Sequence, residues 1–241
     1  MAFERVYRRL HMGVDLTYFN VKIKETDLNI GALCELSREA LTVVARIRAD
    51  LEGYAAVHPE FITALYPIQP LADAPDIVKK MCGAAEKAGV GPMAAVAGAV
   101  AQEVGEALRE HSSEIIVENG GDIYMASRKE RHVAILAGSS VLSGRAAMKI
   151  RPEKTPLGIC TSSGTLGHSL SFGQADAAIV LAPDAALADA CATLLGNLIR
   201  TPGDLSPALE KVCRIEGVMG AVAIIGEKIA ALGDIELSAA G

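Results

Sequence analysis

Apolar and polar positions alternate along the chain with two different periods. From Val21 to Lys24 every second residue is apolar, which is the period of a strand with one buried face. A helical period follows, and Asp27 or Asn29 is its predicted N-cap. The apolar positions of this predicted helix are Leu33, Leu36, Val44, Ile47 and Leu51. The pattern therefore predicts a strand followed by a long helix.

Prolines and small residues mark the next elements. Residues 53–75 carry four prolines and little periodicity, which predicts a long irregular connection. Pro75 suits the first turn of a helix over about residues 76–87. A second helix is predicted over 91–109, with glycine and alanine on every face near its start. We interpret these small residues as a sign of close packing against a neighbouring element; close approach of a ligand to the backbone is the alternative.

Short strands dominate the middle and the end of the chain. They are predicted over 114–118, 122–126, 132–138, 147–151, 177–181, 218–225, 228–230 and 234–237, the last three forming a closing meander with turns at Gly226 and Gly233. Two further helices are predicted over 184–200 and 207–214. Helices that cluster early and strands that cluster in the middle indicate an α+β fold. We expect mostly antiparallel sheets packed with helices, in a single compact domain over residues 1–241.

Composition excludes several classes of protein. Lys and Arg number 23 against 29 Asp and Glu, and a net charge of -6 argues against a general nucleic-acid binder. The five cysteines form no Cys-x-x-Cys pair, so neither a zinc knuckle nor a disulfide framework is predicted. The charged first residues do not resemble a signal peptide, and the apolar run over 88–101 is too short to span a bilayer. We therefore predict a soluble, cytoplasmic protein that does not associate with membranes.

A glycine turn flanked by carboxylates is the first candidate for chemistry. Asn-Gly is a strong hairpin signal, so a plain turn between two strands explains most of this segment. Two features favour ligand binding instead: the glycines expose backbone amides, and a carboxylate stands on each side of the turn. The candidate residues are Glu118, Asn119, Gly120, Gly121 and Asp122.

A polar loop over 160–169 is the second candidate. It lacks the Gly-Lys-Ser/Thr ending of a P-loop, but its hydroxyls and amides can form a cradle for phosphate oxygens. An ordinary exposed loop is the alternative. His168 is a candidate acid–base group or phosphate contact, and Cys160 a candidate nucleophile, although most single cysteines only pack. The candidate phosphate-binding residues are Thr161, Ser162, Ser163 and Gly164.

The helix predicted over 184–200 carries the third candidate. Asp184 is a good N-cap residue. Asp189 and Thr193 are four positions apart and therefore share one face of a helix that is otherwise rich in Ala, Leu and Cys. A carboxylate and a hydroxyl in that arrangement suit Mg²⁺, which takes waters and substrate phosphates as further ligands. A solvent-facing Asp and Thr are the alternative.

Three segments in order resemble the ApbE-type flavin transferases, which move FMN from FAD onto Ser or Thr of target proteins with Mg²⁺. They are Ile-Val-Glu-Asn-Gly-Gly-Asp-Ile, Cys-Thr-Ser-Ser-Gly and Ala-Pro-Asp-Ala-Ala-Leu-Ala-Asp-Ala-Cys-Ala-Thr, within residues 91–200. The resemblance implies that Asp189 and Thr193 hold the metal. A closer similarity, over nearly the whole chain, is to a smaller uncharacterised ApbE-like family with the signature Gly-Ile-Cys-Thr-Ser-Ser-Gly-Thr-x-Gly-His-Ser-Leu-Ser-Phe-Gly, whose members have been linked to sulfur assimilation and homocysteine formation.

The chain departs from the transferase pattern at two places. Ala97 stands where the transferases have Lys in Gly-Gly-Ile-Ala-Lys-Gly, and residues 164–174 are too few for their His-Ile-x-Asp-Pro-x-Thr-Gly stretch, where His168 alone can stand in. These departures weigh against FMN-transfer chemistry while leaving the metal-binding pair.

Three hypotheses follow. The first is an ApbE-like protein, either a divergent FMN transferase or a binding protein, that takes a phosphate-bearing ligand, FAD or FMN, with a divalent metal. A backbone carbonyl near Val96 would complete the metal site. The second is a sulfur-handling protein in which Cys160, with a lowered pKa, is a persulfide carrier or nucleophile. The third is a non-catalytic scaffold, for which Ala-rich helices and an exposed sheet edge would permit a homodimer. The first hypothesis requires that the turn at 119–122, the 161–164 loop and the Asp189 face border one pocket.

Overall fold

An eight-stranded antiparallel sheet organises the fold in the computed structural model, which describes residues 15–164 and 172–240. Its strand order is β1-β2-β3-β4-β7-β8-β9-β10, and a second sheet has the order β11-β6-β5. The strands are β1 (Thr17–Ile23), β2 (Thr26–Ala32), β3 (Ile115–Asn119), β4 (Asp122–Ala126), β5 (Arg131–Ala134), β6 (Ala146–Ile150), β7 (Leu157–Ser162), β8 (Ala177–Ala182), β9 (Gly220–Ile225), β10 (Lys228–Gly233) and β11 (Leu237–Ala239).

Six α-helices accompany the two sheets within the described residues. They are α1 (Ser37–Val57), α2 (Glu60–Thr63), α3 (Asp76–Ala88), α4 (Val96–Leu108), α5 (Ala185–Leu198) and α6 (Leu205–Cys213), with single 3₁₀ turns at Pro92–Ala95, Pro152–Lys154 and Pro202–Asp204. All strand pairs are antiparallel. The predicted α+β class with mostly antiparallel sheets is confirmed. None of the described helices combines the length and the apolar character that crossing a bilayer requires.

Two hydrophobic cores lie on the two faces of the large sheet. Side chains such as Val117 and Tyr124 join the core under the helices, whereas their neighbours Ile116 and Ile123 join the core shared with the small sheet. Because successive side chains of a strand point to opposite faces, a sheet covered on both sides needs apolar residues at every position. This is why the central strands are nearly continuous apolar runs rather than alternating ones.

Close approach of α4 to its neighbours depends on glycine. A Cβ atom on Gly98 would lie 2.2 Å from the Ala185 carbonyl oxygen, and one on Gly105 would lie 2.1 Å from the ring of Tyr124. Neither position can hold a larger residue without moving its neighbours. The interpretation that small residues in 91–109 mark close packing is therefore confirmed at both ends of α4.

The sequence-based boundaries near the N-terminal side are wrong at two places. Asp27 and Asn29 lie inside β2 and cap no helix, because the alternating pattern continues through the hairpin that turns at Lys24, where φ is +52°. The helix begins at Ser37 instead, and Leu33, which is 51% exposed, precedes it. The predicted irregular connection over 53–75 is also too long, since α1 continues to Val57, just before the proline-bearing turn.

The end of the chain does not form a single meander. β9 and β10 form the predicted hairpin, with Gly226 in the left-handed region at the turn. At Gly233, where φ is +84°, the chain changes direction, and β11 pairs with β6 in the small sheet. The left-handed backbone that glycine permits explains the change of sheet.

Two glycines in the middle of helices provide a test of this packing. Gly105→Ala is expected to lower the free energy of unfolding by about 1–3 kcal/mol, because the new methyl group overlaps the Tyr124 ring. Gly83→Ala in α3 is the matched control: a Cβ there meets nothing within 4 Å, so the variant should gain up to about 1 kcal/mol from helix propensity. Urea unfolding measures both, and equal effects of the two substitutions would contradict the packing argument.

Candidate functional site

Four elements meet at one end of the large sheet's central strands. The first residue of β4 is Asp122, and β7 passes beside it with Cys160 and Thr161. The first turn of α4 and the second turn of α5 pack over these strand ends. The polar groups of the site therefore come from residues that are far apart in sequence.

The glycine turn is both a hairpin and a contact to α4. Asn119 and Asp122 form the closing pair of β3 and β4, and Gly120 and Gly121 have φ values of +65° and +108°. Positive φ at both central residues is the type I′ geometry that Asn-Gly-Gly favours. The Gly121 N–H donates to Glu118 Oε1 at 2.9 Å, and Asn119 Nδ2 donates to the Ala97 carbonyl at 3.1 Å. The turn is thereby tied to the start of α4.

Asp122 connects the turn to the 161–164 segment. Its Oδ1 accepts the Thr161 N–H at 3.0 Å, and the side chain is buried. Burial raises the pKa of the Asp122 carboxyl to about 7; the Thr161 N–H and the Cys160 thiol oppose this rise, and the nearby Glu118 charge adds to it. The carboxyl is therefore poised between its neutral and ionised forms near neutral pH.

Asp189 is held by the start of α4. Its Oδ2 accepts the Gly98 N–H at 2.9 Å, a group of the first helical turn that has no partner within the helix. Burial, and after it the charge of Asp122, raise the pKa of the Asp189 carboxyl well above its usual range, while the Gly98 and Ala97 amides act in the opposite direction. The two carboxylates are thus close enough to influence each other electrostatically.

Cys160 lies between these two carboxylates. It is fully buried, and its Sγ donates to the Ala185 carbonyl at 3.4 Å. Burial, and after it the charges of Asp122 and Asp189, raise the pKa of the Cys160 thiol well above its ordinary value. The expectation of a lowered pKa at Cys160 is therefore wrong, because burial and the carboxylates of β4 and α5 outweigh the opposing contribution of the Ile123 amide.

The rest of the polar loop lies along α5. Ser162 and Ser163 are partly exposed, and a Cβ on Gly196 would lie 3.2 Å from Ser162 Oγ. The Gly164 N–H donates to the Ala175 carbonyl at 2.9 Å, and the Thr161 amide is already bonded to Asp122. A phosphate cradle in this segment would therefore depend on the hydroxyls more than on these two amides. His168 lies outside the described residues.

Helix α5 carries Asp189 and Thr193, and its N-cap is Asp184. Asp184 caps it by accepting the N–H groups of Ala186 and Leu187 at 2.8 and 3.2 Å. Asp189 and Thr193 are both partly exposed, one turn apart. The contacts among the turn, the 160–164 segment and Asp189 bring the three predicted segments together at one place.

Some residues of this site are missing from the sequence-based prediction. Gln102 Oε1 accepts the Ala185 N–H at 2.6 Å, and Gly98 supplies both the amide and the space for Asp189. The only sequence signal for Gly98 is a glycine near the start of a helix, which favours close packing but does not name the partner. Gln102 carries no signal at all.

The donor set suits a hard cation that keeps several non-protein ligands. Among the described residues, no three His, Cys, Asp or Glu side chains are arranged to hold a metal ion by themselves. Asp189 offers carboxylate oxygen, and Thr193 a hydroxyl on the same face of α5. Mg²⁺ binds in this way, through one or two carboxylates completed by water and phosphate oxygens.

Solved structures of other proteins share this fold. The apo flavinyl transferase ApbE of Pseudomonas stutzeri matches with a TM-score of 0.58 and 12% identity, over 92% of this chain and 96% of that one. The flavin transferase ApbE of Vibrio cholerae matches with a TM-score of 0.59 and 12% identity, over 90% and 96%. The chain has the ApbE-like fold.

Sequence comparison gives the family. A family model described as "AbpE bacteria" matches residues 8–228. The UPF0280 protein of Methanocella arvoryzae is 43% identical over 213 residues, 88% of this chain and 86% of that protein. The UPF0280 protein of Methanocaldococcus jannaschii is 38% identical over 203 residues, 82% of each chain. The chain belongs to this uncharacterised ApbE-like family, UPF0280.

The cysteines provide a test of the site's electrostatics. In the native protein, iodoacetamide at neutral pH should modify exposed Cys34 first and leave Cys160 unmodified, because burial and the raised pKa both keep Cys160 in the unreactive thiol form. Peptide mass spectrometry at graded pH measures the order. Modification of Cys160 ahead of Cys34 would contradict the described environment.

Stability against pH provides a second test. Burial raises the Asp122 pKa to about 7, from about 3.9 in the unfolded chain. An acid whose pKa is raised by folding stabilises the native state at low pH, and that contribution is lost as pH rises from about 4 to about 7. Asp122→Asn keeps an acceptor for the Thr161 N–H without ionising. At pH 8, without divalent cations, it should be more stable than wild type by about 1–3 kcal/mol, and the gain should shrink at pH 5.

Urea unfolding at both pH values measures this difference. Asp184→Asn is the matched control, because Asn caps a helix about as well as Asp and the side chain is exposed. A loss of stability in Asp122→Asn that is equal at the two pH values would contradict the raised pKa.

Proposed function

We propose that this chain binds a diphosphate-bearing nucleotide, with FAD as the first candidate, together with a divalent cation at Asp189 and Thr193. One observation carries the proposal: Asp122 and Asp189 face the same buried thiol, and within the described residues neither carboxylate has an ion-pair partner. Like charges brought together in a poorly solvated site are unfavourable, so such a pair is expected where a cation or a proton completes it.

The cation is the better of these two explanations because of what surrounds Asp189. The Gly98 amide fixes one carboxylate oxygen, which orients the carboxyl group on the face of α5 that also bears Thr193. A preoriented carboxylate and a hydroxyl one turn away form part of an oxygen donor set. A carbonyl near Val96 would add a protein ligand, and phosphate oxygens with waters would fill the remaining positions.

The nearby polar groups support a phosphate-bearing ligand. The partly exposed Ser162 and Ser163 lie on the segment next to the carboxylates, and the turn at Asn119–Asp122 stands on the other side. The flavin part of the proposal rests on the fold alone, through neighbours described as flavin transferases. We propose binding and not FMN transfer, because Ala97 stands at the position of the transferase Lys.

The sulfur-carrier hypothesis has no comparable support. A persulfide carrier or thiol nucleophile needs an accessible sulfur with a substantial thiolate fraction. Cys160 is fully buried, and its pKa is raised. No observation in the described residues favours this second role, so we do not propose it.

Ligand binding tests the proposal directly. We expect Mg²⁺ or Mn²⁺ to raise the thermal unfolding temperature of the metal-free protein, and FAD to raise it further only when the cation is present. Asp189→Asn should abolish both shifts, since the amide cannot replace the ionised oxygen toward the cation. Asp184→Asn, which removes a charge from the start of the same helix, should retain both shifts.

Calorimetric titration separates the two parts of the proposal. Heat from Mn²⁺ alone with no heat from FAD would support the metal site and overturn the flavin ligand; ADP and inorganic diphosphate then test other phosphate-bearing ligands. The absence of any cation effect in the wild-type protein, or an equal effect in Asp189→Asn, would overturn the metal site itself.

A further inference from the structure

One edge of the large sheet is open in an unusual way. β10 is its last strand and pairs with β9 alone among the described strands. Nearly all of Lys228–Gly233 is exposed, including Ile229 at 38% and Leu232 at 41%, which lie on opposite faces of the sheet. An exposed apolar edge strand is a template for pairing with another strand.

The hydrogen bonds of the hairpin show which backbone groups of β10 face outward. The Asp234 N–H donates to the Met219 carbonyl at 2.9 Å, so residue 234 directs its backbone groups toward β9. Because this direction alternates along an antiparallel strand, residues 228, 230 and 232 also face β9. Ile229 and Ala231 therefore direct their N–H and carbonyl groups away from the sheet.

Few of the devices that usually protect an edge are present in β10. Its sequence is Lys-Ile-Ala-Ala-Leu-Gly, with no proline and one charge, and its register with β9 runs without a bulge. β1, at the other end of the sheet, carries Lys22 in the strand, paired with Asp27. Both edges thus carry one lysine in the strand, and Lys22 is already paired within its own chain.

We propose that β10 pairs with β10 of a second copy of this chain, antiparallel about a two-fold axis at Ala231. An antiparallel strand can pair with itself because a two-fold axis brings the same outward groups of both copies face to face. In this register Ala231 bonds to its own counterpart, and Ala230 stands opposite Leu232. The proposal is independent of the ligand proposed above.

Charge complementarity favours this register, and it favours a second copy of this chain as the partner. Asp234 follows the last residue of β10, and its N–H still bonds to β9, so it stays at the end of this edge. With the axis at Ala231, Lys228 of each copy stands opposite Asp234 of the other, and the two ends of the paired segment are matched in charge. Asp234 is half exposed despite its ion pair with Lys154, which leaves it accessible to a second cation. A shift of two residues toward the hairpin turn would put Lys228 opposite Leu232 and lose this match.

A proline at the axis tests the pairing. Six-residue edges make small interfaces, so we expect a reversible dimer whose share rises between about 1 µM and about 300 µM. Ala231→Pro removes the outward N–H, which β9 does not use, and should leave the protein monomeric over that range with an unchanged far-UV circular dichroism spectrum. Ala231→Val keeps the N–H and is the matched control that should still dimerise. Sedimentation velocity measures all three proteins.

A charge exchange tests the register. Lys228→Glu places two acidic residues opposite each other and should weaken the dimer at least about tenfold at low salt, while the double variant Lys228→Glu/Asp234→Lys should recover it. Asp234→Lys loses the ion pair with Lys154, so thermal unfolding of each variant verifies the fold. A wild-type protein that stays monomeric, an Ala231→Pro variant that dimerises like wild type, or a double variant without recovery would each overturn the proposal.

Discussion

The contact between α4 and α5 is the constraint on which the candidate site depends. With hydrogen as the side chain of residue 98, the Ala185 carbonyl and the Asp189 side chain both approach the backbone of α4. The Gly98 amide then reaches Asp189 Oδ2, and the Ala97 carbonyl reaches Asn119. Because one helix start contacts both α5 and the hairpin turn, a change at Gly98 would displace two parts of the site at once.

Backbone N–H groups help to explain how the Asp122 and Asp189 carboxylates are tolerated at a poorly solvated position. Each accepts backbone N–H groups, from Thr161 at Asp122 and from Gly98 and Ala97 at Asp189, and these bonds offset part of the desolvation. The raised pKa values show that the compensation is incomplete. Residual destabilisation of this kind is typical of sites that bind a ligand, since the free energy that the ligand restores then contributes to its affinity for the folded state.

Local patterns in the sequence indicated which residues form the candidate site. Contacts between distant segments determine the burial, the partners and the pKa values of those residues. Three features depend only on residues that are close together in sequence, and each has the expected local geometry. They are the Asn-Gly-Gly turn, the Asp184 cap and the shared helix face of Asp189 and Thr193. The partner of Asp189 is 91 positions away in sequence, and no periodicity indicates it.

The incorrect expectations about the Cys160 pKa and about the first helix cap also arise from contacts between distant segments. A thiol in a glycine-rich loop is expected to have a low pKa when only the loop is considered, but the carboxylates of β4 and α5 reverse the sign at Cys160. Asp27 and Asn29 are good capping residues in isolation, yet the hairpin pairing of β1 with β2 includes both in a strand. In both cases tertiary contacts overrode a valid local preference.

A neutral thiol between two carboxylates also limits what this site can do. Because burial and the adjacent charges keep Cys160 protonated, the sulfur adds no third negative charge, and the neutral thiol contacts both Asp122 and the Ala185 carbonyl at the start of α5. The thiol therefore contributes packing at the point where β7 meets α5, and the polar chemistry is left to oxygen atoms. An all-oxygen donor set favours hard cations, and through them phosphate ligands, over soft metals or sulfur transfer. This preference follows from the burial and the charge of three side chains, and it does not require a likeness in sequence to any protein of known activity.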